Sequence, residues 1–231
     1  MSSRMLETSS GKAVQPTLEP GDHLDQKTFH ELYQQTPEHV KAELIEGVVH
    51  MPSPLKVRHG TVHAKVMCWL TLYEAQTPAV GVLDNATAIL GEFSEPQPDG
   101  NLFIREEYGG QTRINEEDYL VGAPELISEV SLSSVAIDLH GKRRDYERAG
   151  VQEYVVFILR EHRVVWFVRG ASGFEPLDPG PDGIYRSRLF GGLWLDADAL
   201  LRGDTAQVQK VLQQGLASPE HVQFLQRWPR R

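Results

Sequence analysis

The sequence predicts a mixed α/β (α+β) domain in which helices pack against one central β-sheet. The first observation is the order of elements: a helix, a β-hairpin, a long helix, several strands, a helix, more strands and a helical end. The second is composition, since 231 residues with 40% hydrophobic and 24% charged residues suit one globular domain with additions. We therefore predict a flexible leader over residues 1–22, a main domain over 23–195 and a helical extension over 196–231.

The first half of the chain predicts a helix, a hairpin and a long amphipathic helix. Phe29 and Tyr33 lie four apart, the spacing of one helical face. Strand-like residues on both sides of Glu46 and Gly47 indicate a hairpin turn. Apolar residues then recur three and four apart over residues 55–76, which predicts a long helix packed against the sheet.

The second half adds short strands and one further helix. The helix is predicted at SSVAIDLHGKRRDYERAG, with Ser133 or Ser134 as N-cap and Gly150 just past its end. Helical segments are predicted again from Asp196 onward. The predicted strands are GVLDNATAIL, PDGNLFI, APELISEVSL, QEYVVFIL, RVVWFVRG and IYRSRLF.

Charge and cysteine content restrict the class of protein. The 32 acidic residues outnumber the 23 Lys and Arg, and the net charge of −9 argues against a protein that coats nucleic acid with a broad basic surface. An acidic metal site with a local basic strip remains compatible with this charge. A lone Cys68, no signal-like N-terminus and no apolar run of about 20 residues predict a cytoplasmic protein with no membrane span.

Two acidic residues occupy apolar strands and are candidates for a buried site. Asp99 begins the NLFI strand, and Glu129 lies within LISEV. Strand alternation places Glu129 on the face of Ile127 and Ser131. Burying an ionised carboxylate requires a cation or several donors. An isolated strand glutamate is more often solvent-exposed, so Glu129 alone identifies no site.

The helix after that strand supplies a candidate cation. Leu139, Lys142, Tyr146 and Ala149 lie along one stripe, and Lys142 interrupts its apolar or aromatic face. Lys142 can snorkel to water, or it can point at the carboxylates of the preceding strand, and the second orientation is slightly favoured. Tyr146, one turn beyond Lys142, could hydrogen-bond into the site, but core packing is favoured.

A third acid, Glu43, enters the predicted hairpin and could complete a cluster. Two or three carboxylates and a lysine suit phosphodiester hydrolysis with Mg²⁺, for which Mn²⁺ can substitute. The lysine could position the nucleophile or stabilise the transition state.

The chain resembles a known family in four blocks: AELIEGVVHMPSPLKVRHG, EPQPDGNLFI, GAPELISEVSLSSVAIDLHGKRRDYERAGVQEYVV and FGGLWLDADALLRGD. These blocks are similar to the Uma-two-type "putative restriction endonuclease" family of the PD-(D/E)XK nuclease superfamily, from about residue 24 to about residue 201. The resemblance implies a restriction-endonuclease-like core of four or more mixed strands flanked by helices. It implies that Asp99 and Glu129 are the motif acids and that Glu43 is a candidate additional metal ligand.

One position departs from the superfamily pattern. The usual lysine follows the motif glutamate by two residues, where this chain has Ser131. The resemblance implies that the lysine has moved to the following helix as Lys142. Strand alternation and the helical stripe make this displacement geometrically reasonable.

Several basic residues are candidate nucleic-acid contacts. Arg143, Arg144 and Arg148 surround Lys142 and could line a cleft, although such runs usually form a solvated face. His59 matches a family histidine and could contact phosphate. His59 and His63 also have the i, i+4 spacing of metal-binding pairs, without a recognised set of further ligands.

The sequence therefore favours a Mg²⁺-dependent endodeoxyribonuclease, with DNA as its substrate. Asp99, Glu129 and Lys142 are the expected catalytic residues, and Asp99, Glu129 and Glu43 are the expected metal ligands. A homodimer could form through an edge strand or the C-terminal helices. Two alternatives remain: a nuclease-fold interaction module with weak or lost activity, and a hydrolase of a smaller phosphodiester.

Overall fold

Helices and strands follow one another in nearly the predicted order in the computed structural model, which describes residues 17–37 and 39–227. The helices are α1 (Gln26–Tyr33), α2 (Val57–Glu74), α3 (Arg143–Ala149), α4 (Ala197–Arg202), α5 (Thr205–Leu216) and α6 (Pro219–Arg227). The first strands are β1 (Glu43–Ile45), β2 (Val48–His50), β3 (Val80–Asp84), β4 (Ala88–Ile89), β5 (Gly100–Ile104), β6 (Arg113–Ile114) and β7 (Leu120–Val121). The remaining strands are β8 (Leu126–Ser131), β9 (Glu153–Ile158), β10 (Arg163–Gly170), β11 (Gly173–Leu177), β12 (Ile184–Arg186) and β13 (Trp194–Asp196).

Six strands form the central sheet in the order β11-β10-β9-β8-β5-β3. Only β8 and β9 pair in parallel among these neighbours, and the other pairs are antiparallel. Gly100 pairs with Ser128, and Ser131 pairs with Ile158. The start of β5 and the ends of β8 and β9 therefore meet at one edge of the sheet. The predicted mixed α+β fold is confirmed.

The two faces of the sheet are covered by different helices. Leu126 and Val130 of β8 join a core cluster formed with α2, α4, α5 and α6. Ile127 joins a second cluster on the opposite face, together with Tyr146 of α3. Glu129, which alternates with Leu126 and Val130 along β8, consequently points toward α3. Strand alternation predicted this orientation correctly.

The predicted hairpin turns at Glu46 and Gly47, whose φ angles are 51° and 77°. Positive φ at both positions is the geometry of a type I′ turn, in which glycine is favoured at the second position. The hairpin is attached to the following chain through Leu44, which exchanges two backbone hydrogen bonds with Glu95. This attachment places Glu43 beside residues 96–99, immediately before β5.

The helix after β8 begins with a wider turn than the periodicity predicts. Ile137–Lys142 is π-helical, and α3 continues from it until Gly150, whose φ is 103°. The Ser134 carbonyl oxygen accepts from the Asp138 N–H, while the Ser134 hydroxyl donates to the Asp138 side chain. Such π-helical turns insert an extra residue and are frequent at functional sites.

The predicted strand GVLDNATAIL is two strands, β3 and β4, in different sheets, and further differences lie at the C-terminal side. The predicted strand IYRSRLF is shorter and ends at Arg186. Beyond it, the Ser187 hydroxyl and the Leu189 N–H donate to the Glu153 carboxylate. Strand β11 was not predicted because it contains Pro176, which the edge of a sheet tolerates. Residues 187–190 therefore follow a loop held by a buried carboxylate.

The proposed division of the chain stays a prediction. Most of the predicted leader, residues 1–16, lies outside the described residues, and Leu18 is buried against α1 and the hairpin. In the predicted helical extension, Val208 and Leu212 share the core cluster of α2. Within the described ranges no helix has the length and apolarity needed to cross a membrane.

Candidate active site

Asp99 lies at the sheet edge immediately before β5 and is 8% exposed. Its Oδ2 atom accepts a hydrogen bond of 2.7 Å from the Val130 N–H of β8. The same oxygen lies 3.3 Å from Nε2 of His59, which α2 presents to the sheet. These contacts hold the Asp99 carboxylate next to the neighbouring Glu129.

Glu129 is buried between β8 and the helix that follows it. Its Oε1 atom accepts hydrogen bonds of 2.8 Å from Lys142 Nζ and 2.8 Å from the Tyr146 hydroxyl. Lys142 is itself buried, at 5% exposure. The lysine therefore points at the carboxylates as predicted from the helical stripe. Tyr146 packs in the core, and it also donates into the site, a role that the sequence did not favour.

Glu43 is brought to the same lysine from β1. Lys142 Nζ lies 2.9 Å from Glu43 Oε1, so one ammonium group contacts two carboxylates. The Gln97 N–H donates to the same Glu43 oxygen at 2.8 Å. Glu43 and Lys142 are about a hundred residues apart in the sequence. The backbone hydrogen bonds between Leu44 and Glu95 hold the hairpin beside β5 and so bring the two side chains together.

Asp138 is a further member of the cluster that the sequence reading missed. It is 2% exposed, and its Oδ2 atom accepts from the Ser134 hydroxyl at 2.6 Å. It precedes Lys142 by four residues on the same helical segment, and that spacing was the available signal. The charges of Asp138 and Lys142 influence each other's pKa values, which places both groups in one electrostatic environment.

The cluster holds more acidic than basic groups in a buried environment. Burial raises the pKa of Glu129 well above its ordinary value, and the charge of Lys142 only partly opposes this effect. Burial acts to lower the pKa of Lys142, yet Glu129, Glu43 and Asp138 together raise it well above its ordinary value. Lys142 therefore stays protonated, while the surplus of carboxylates makes the site receptive to a further cation.

Asp99 and His59 form a second polarised pair. Burial opposes ionisation of Asp99, but hydrogen bonds from His59 and the Val130 N–H outweigh it and lower the pKa of Asp99. The hydrogen bond to Asp99 raises the pKa of His59, although burial works against it. His63, four residues on, contacts the Asp99 carbonyl oxygen at 2.8 Å and Asp84 Oδ1 at 3.1 Å.

The three arginines near Lys142 already have partners. Arg144 makes two hydrogen bonds to the Glu46 carboxylate, at 3.0 and 2.5 Å. Arg148 lies 3.3 Å from Glu46 and 3.4 Å from Asp145. The Arg143 guanidinium lies 4.5 Å from the centre of the Phe167 ring. Their role as nucleic-acid contacts stays a prediction.

The donor set of Asp99 and Glu129 fits Mg²⁺. Hard divalent cations prefer carboxylate oxygens, and Mg²⁺ often uses one or two protein carboxylates while keeping several waters. Within the part of the chain that the structure describes, no group of three or more His, Cys, Asp or Glu side chains is arranged to enclose an ion. A site built on these residues would therefore rely on water and substrate oxygens for its other ligands.

Comparison with solved structures identifies the class of fold. The chain is similar to the crystal structure of a putative nuclease belonging to DUF820 from Anabaena variabilis, with a TM-score of 0.53 and 15% sequence identity. The match covers 74% of this chain and 97% of that one. The protein thus has a nuclease fold, with a carboxylate–lysine cluster at one edge of its sheet.

The family assignment agrees with the fold. The chain belongs to the Uma2 family, described as putative restriction endonucleases, whose family profile matches residues 27–198. No curated protein matches the chain. Family and fold together support a nuclease, a hydrolase that acts on nucleic acids.

Proposed function

We propose that the protein is a Mg²⁺-dependent endonuclease that hydrolyses phosphodiester bonds of DNA at the Asp99–Glu129–Lys142 cluster. The observation that carries the proposal is the position of Lys142, whose buried ammonium group contacts both Glu129 and Glu43 beside the edge that holds Asp99. The contact between Lys142 and Glu129 supports the expectation, drawn from the family resemblance, that the catalytic lysine lies on the helix after β8. Uma2 membership supports the same activity.

Asp99 and Glu129 would hold the metal ion, with Glu43 as a third candidate ligand. When bound, Mg²⁺ supplies Lewis-acid stabilisation of phosphoryl oxygens and acidifies a water molecule. The protein contributes an anionic Asp99, kept so by His59 and the Val130 N–H. Tyr146 fixes the orientation of Glu129 through its hydroxyl. Lys142 contributes a permanent positive charge that can stabilise the developing negative charge of the transition state.

Cleavage of supercoiled plasmid tests the proposal. We expect nicking with Mg²⁺ or Mn²⁺ by the wild type, and loss of nicking in Asp99→Asn, Glu129→Gln and Lys142→Met. Removing one electrostatic contributor of this kind typically costs about 10²–10³-fold in rate. Lys210→Met, which removes an exposed lysine of α5, is the matched control. Far-UV circular dichroism checks folding, and undiminished nicking by folded Glu129→Gln would contradict the assignment.

A catalytically weak interaction module is the second candidate, and one contact favours it. Lys142 and Tyr146 both donate to Glu129 Oε1, so a metal ion must compete with them for that oxygen. Calorimetry with Mn²⁺ distinguishes the two functions. Heat of binding that is lost in Asp99→Asn supports the nuclease, and no binding by the wild type at millimolar Mn²⁺ supports the module.

A further inference from the structure

Three cations without an acidic partner lie beside the candidate active site, where the start of α2 meets the turn between β9 and β10. Lys56 and Arg58 belong to the start of α2, and Arg160 belongs to the turn. All three are exposed. Within the described residues, none of them forms an ion pair with a carboxylate. Other described cations, such as Lys210, also lack an ion pair, so the position of these three beside the candidate site is what distinguishes them.

Direct contacts connect these cations to the carboxylate cluster. The Arg58 guanidinium donates to the Leu159 carbonyl oxygen at 2.5 Å, which joins α2 to the turn that contains Arg160. The Leu159 N–H in turn donates to the Ser131 carbonyl oxygen at 2.9 Å, two residues after Glu129. His59, adjacent to Arg58, lies 3.3 Å from Asp99. The cations therefore border the site. Arg58 retains further guanidinium N–H donors beyond the one used by Leu159.

Exposed aliphatic side chains lie among the cations. Leu55 is 68% exposed and Val57 is 87% exposed. They alternate in sequence with Lys56 and Arg58, so one short segment presents both charge and apolar surface. Proteins use lysine and arginine to neutralise phosphates and apolar side chains to contact or wedge between bases. This combination fits a nucleic-acid duplex better than it fits a purely ionic ligand.

The arginines of α3 provide a contrast. Arg144 and Arg148 are bound to Glu46, so a phosphate would have to displace a carboxylate to reach them. Lys56, Arg58 and Arg160 require no such displacement. Charge complementarity to a polyanion is therefore stronger at the α2 edge than along α3.

We propose that residues 55–58 and Arg160, here called the α2 rim, form the surface that holds the backbone of duplex DNA beside the candidate active site. The proposal rests on the proposed function, because it names the surface by which that site receives its substrate. It assigns phosphate contacts to Lys56, Arg58 and Arg160. It assigns apolar contacts with the duplex to Leu55 and Val57.

Binding without catalysis tests the α2 rim separately from cleavage. Fluorescence anisotropy measures the affinity of the full chain for a labelled DNA duplex in EDTA over a series of salt concentrations. The slope of log K against log salt is negative, and each lost phosphate contact reduces its magnitude by about 0.9. We expect that decrease in Lys56→Gln and in Arg160→Gln, and no change in Lys210→Gln, which removes an equal charge from α5. Leu55→Ser with Val57→Ser should weaken binding while leaving the slope unchanged.

The outcomes separate the surface from the activity. Rim-dependent binding by a protein that never cleaves would refute the proposed function and leave the rim in place. Unchanged slopes in Lys56→Gln and Arg160→Gln would overturn the rim, whether or not the protein cleaves. If the magnitude of the salt slope decreases in Arg144→Gln and Arg148→Gln instead, the proposed rim is also overturned. Two further results would do the same: no saturable binding to the duplex by the wild type, or rim variants that alter only self-association or binding to anionic vesicles.

Discussion

Replacing Lys142 by methionine should destabilise the protein in a manner that depends on pH. The substitution keeps an unbranched side chain of similar length and removes the ammonium group that contacts Glu129 and Glu43. Glu129 then remains buried with the Tyr146 hydroxyl as its other donor on Oε1. Removing one partner of a buried ion pair typically costs about 3–5 kcal/mol, because the remaining charge is left without compensation.

The pH dependence follows from the direction of the pKa shift. An unfolded glutamate has a pKa of about 4.3, and burial raises the pKa of Glu129 in the folded protein. The folded state therefore binds more protons between these two pKa values, and its stability falls as pH rises through that window. The positive charge of Lys142 offsets part of this loss in the wild type, whereas in Lys142→Met only the neutral Tyr146 hydroxyl remains as a donor on Glu129 Oε1. The stability difference between the two proteins should be larger at pH 8 than at pH 5.

Urea unfolding followed by circular dichroism at pH 5 and pH 8 measures this difference. Lys210→Met is the control for loss of an exposed lysine and should match the wild type within about 0.5 kcal/mol. A loss of unfolding free energy below about 1 kcal/mol in Lys142→Met would refute the reasoning, because removing one partner of a buried ion pair is expected to cost several times that amount. An equal loss at both pH values would show that the carboxylates are not responsible.

Three further stability predictions concern buried groups and glycines. Tyr146→Phe removes a donor to Glu129 and should cost about 1.5–3 kcal/mol in urea unfolding, the value of a hydrogen bond to a charged group; wild-type stability would contradict an ionised Glu129. Glu153→Gln should cost about 1–3 kcal/mol and shift tryptophan emission, since its carboxylate binds three donors, one of them an indole N–H; unchanged emission would argue against that contact. Gly215→Ala should lower the melting temperature, because the added Cβ would lie 2.2 Å from a backbone carbonyl oxygen. Gly60→Ala has open space around it and should instead stabilise the protein by up to about 1 kcal/mol through helix propensity. Equal effects of the two substitutions would refute the packing argument.

The core of the candidate site was accessible to sequence reasoning because it depends on local periodicity. Period-two alternation oriented Glu129, and the 3.6-residue period oriented Lys142, so both side chains were expected on facing surfaces. The structure brings them within 2.8 Å. Asp138 was missed although it precedes Lys142 by four residues, and a hydrogen bond from Tyr146 into the site was considered but ranked below core packing. The π-helical turn Ile137–Lys142 itself was not predicted, because the extra residue that it inserts leaves no mark on the apolar periodicity.

The sequence by itself determined the fold class, the order of the main elements and the pairing of acids with a lysine, because these follow from short-range repeats of apolar and charged residues. The tertiary structure alone decided which lysine and arginine side chains are bound to carboxylates. Arg144 binds Glu46, which lies 98 residues earlier in the chain, and no local pattern encodes that approach. Arg58 finds a backbone carbonyl oxygen instead of a carboxylate. A charge is free or paired according to neighbours that only folding brings near, and for that reason the α2 rim emerged from the structure.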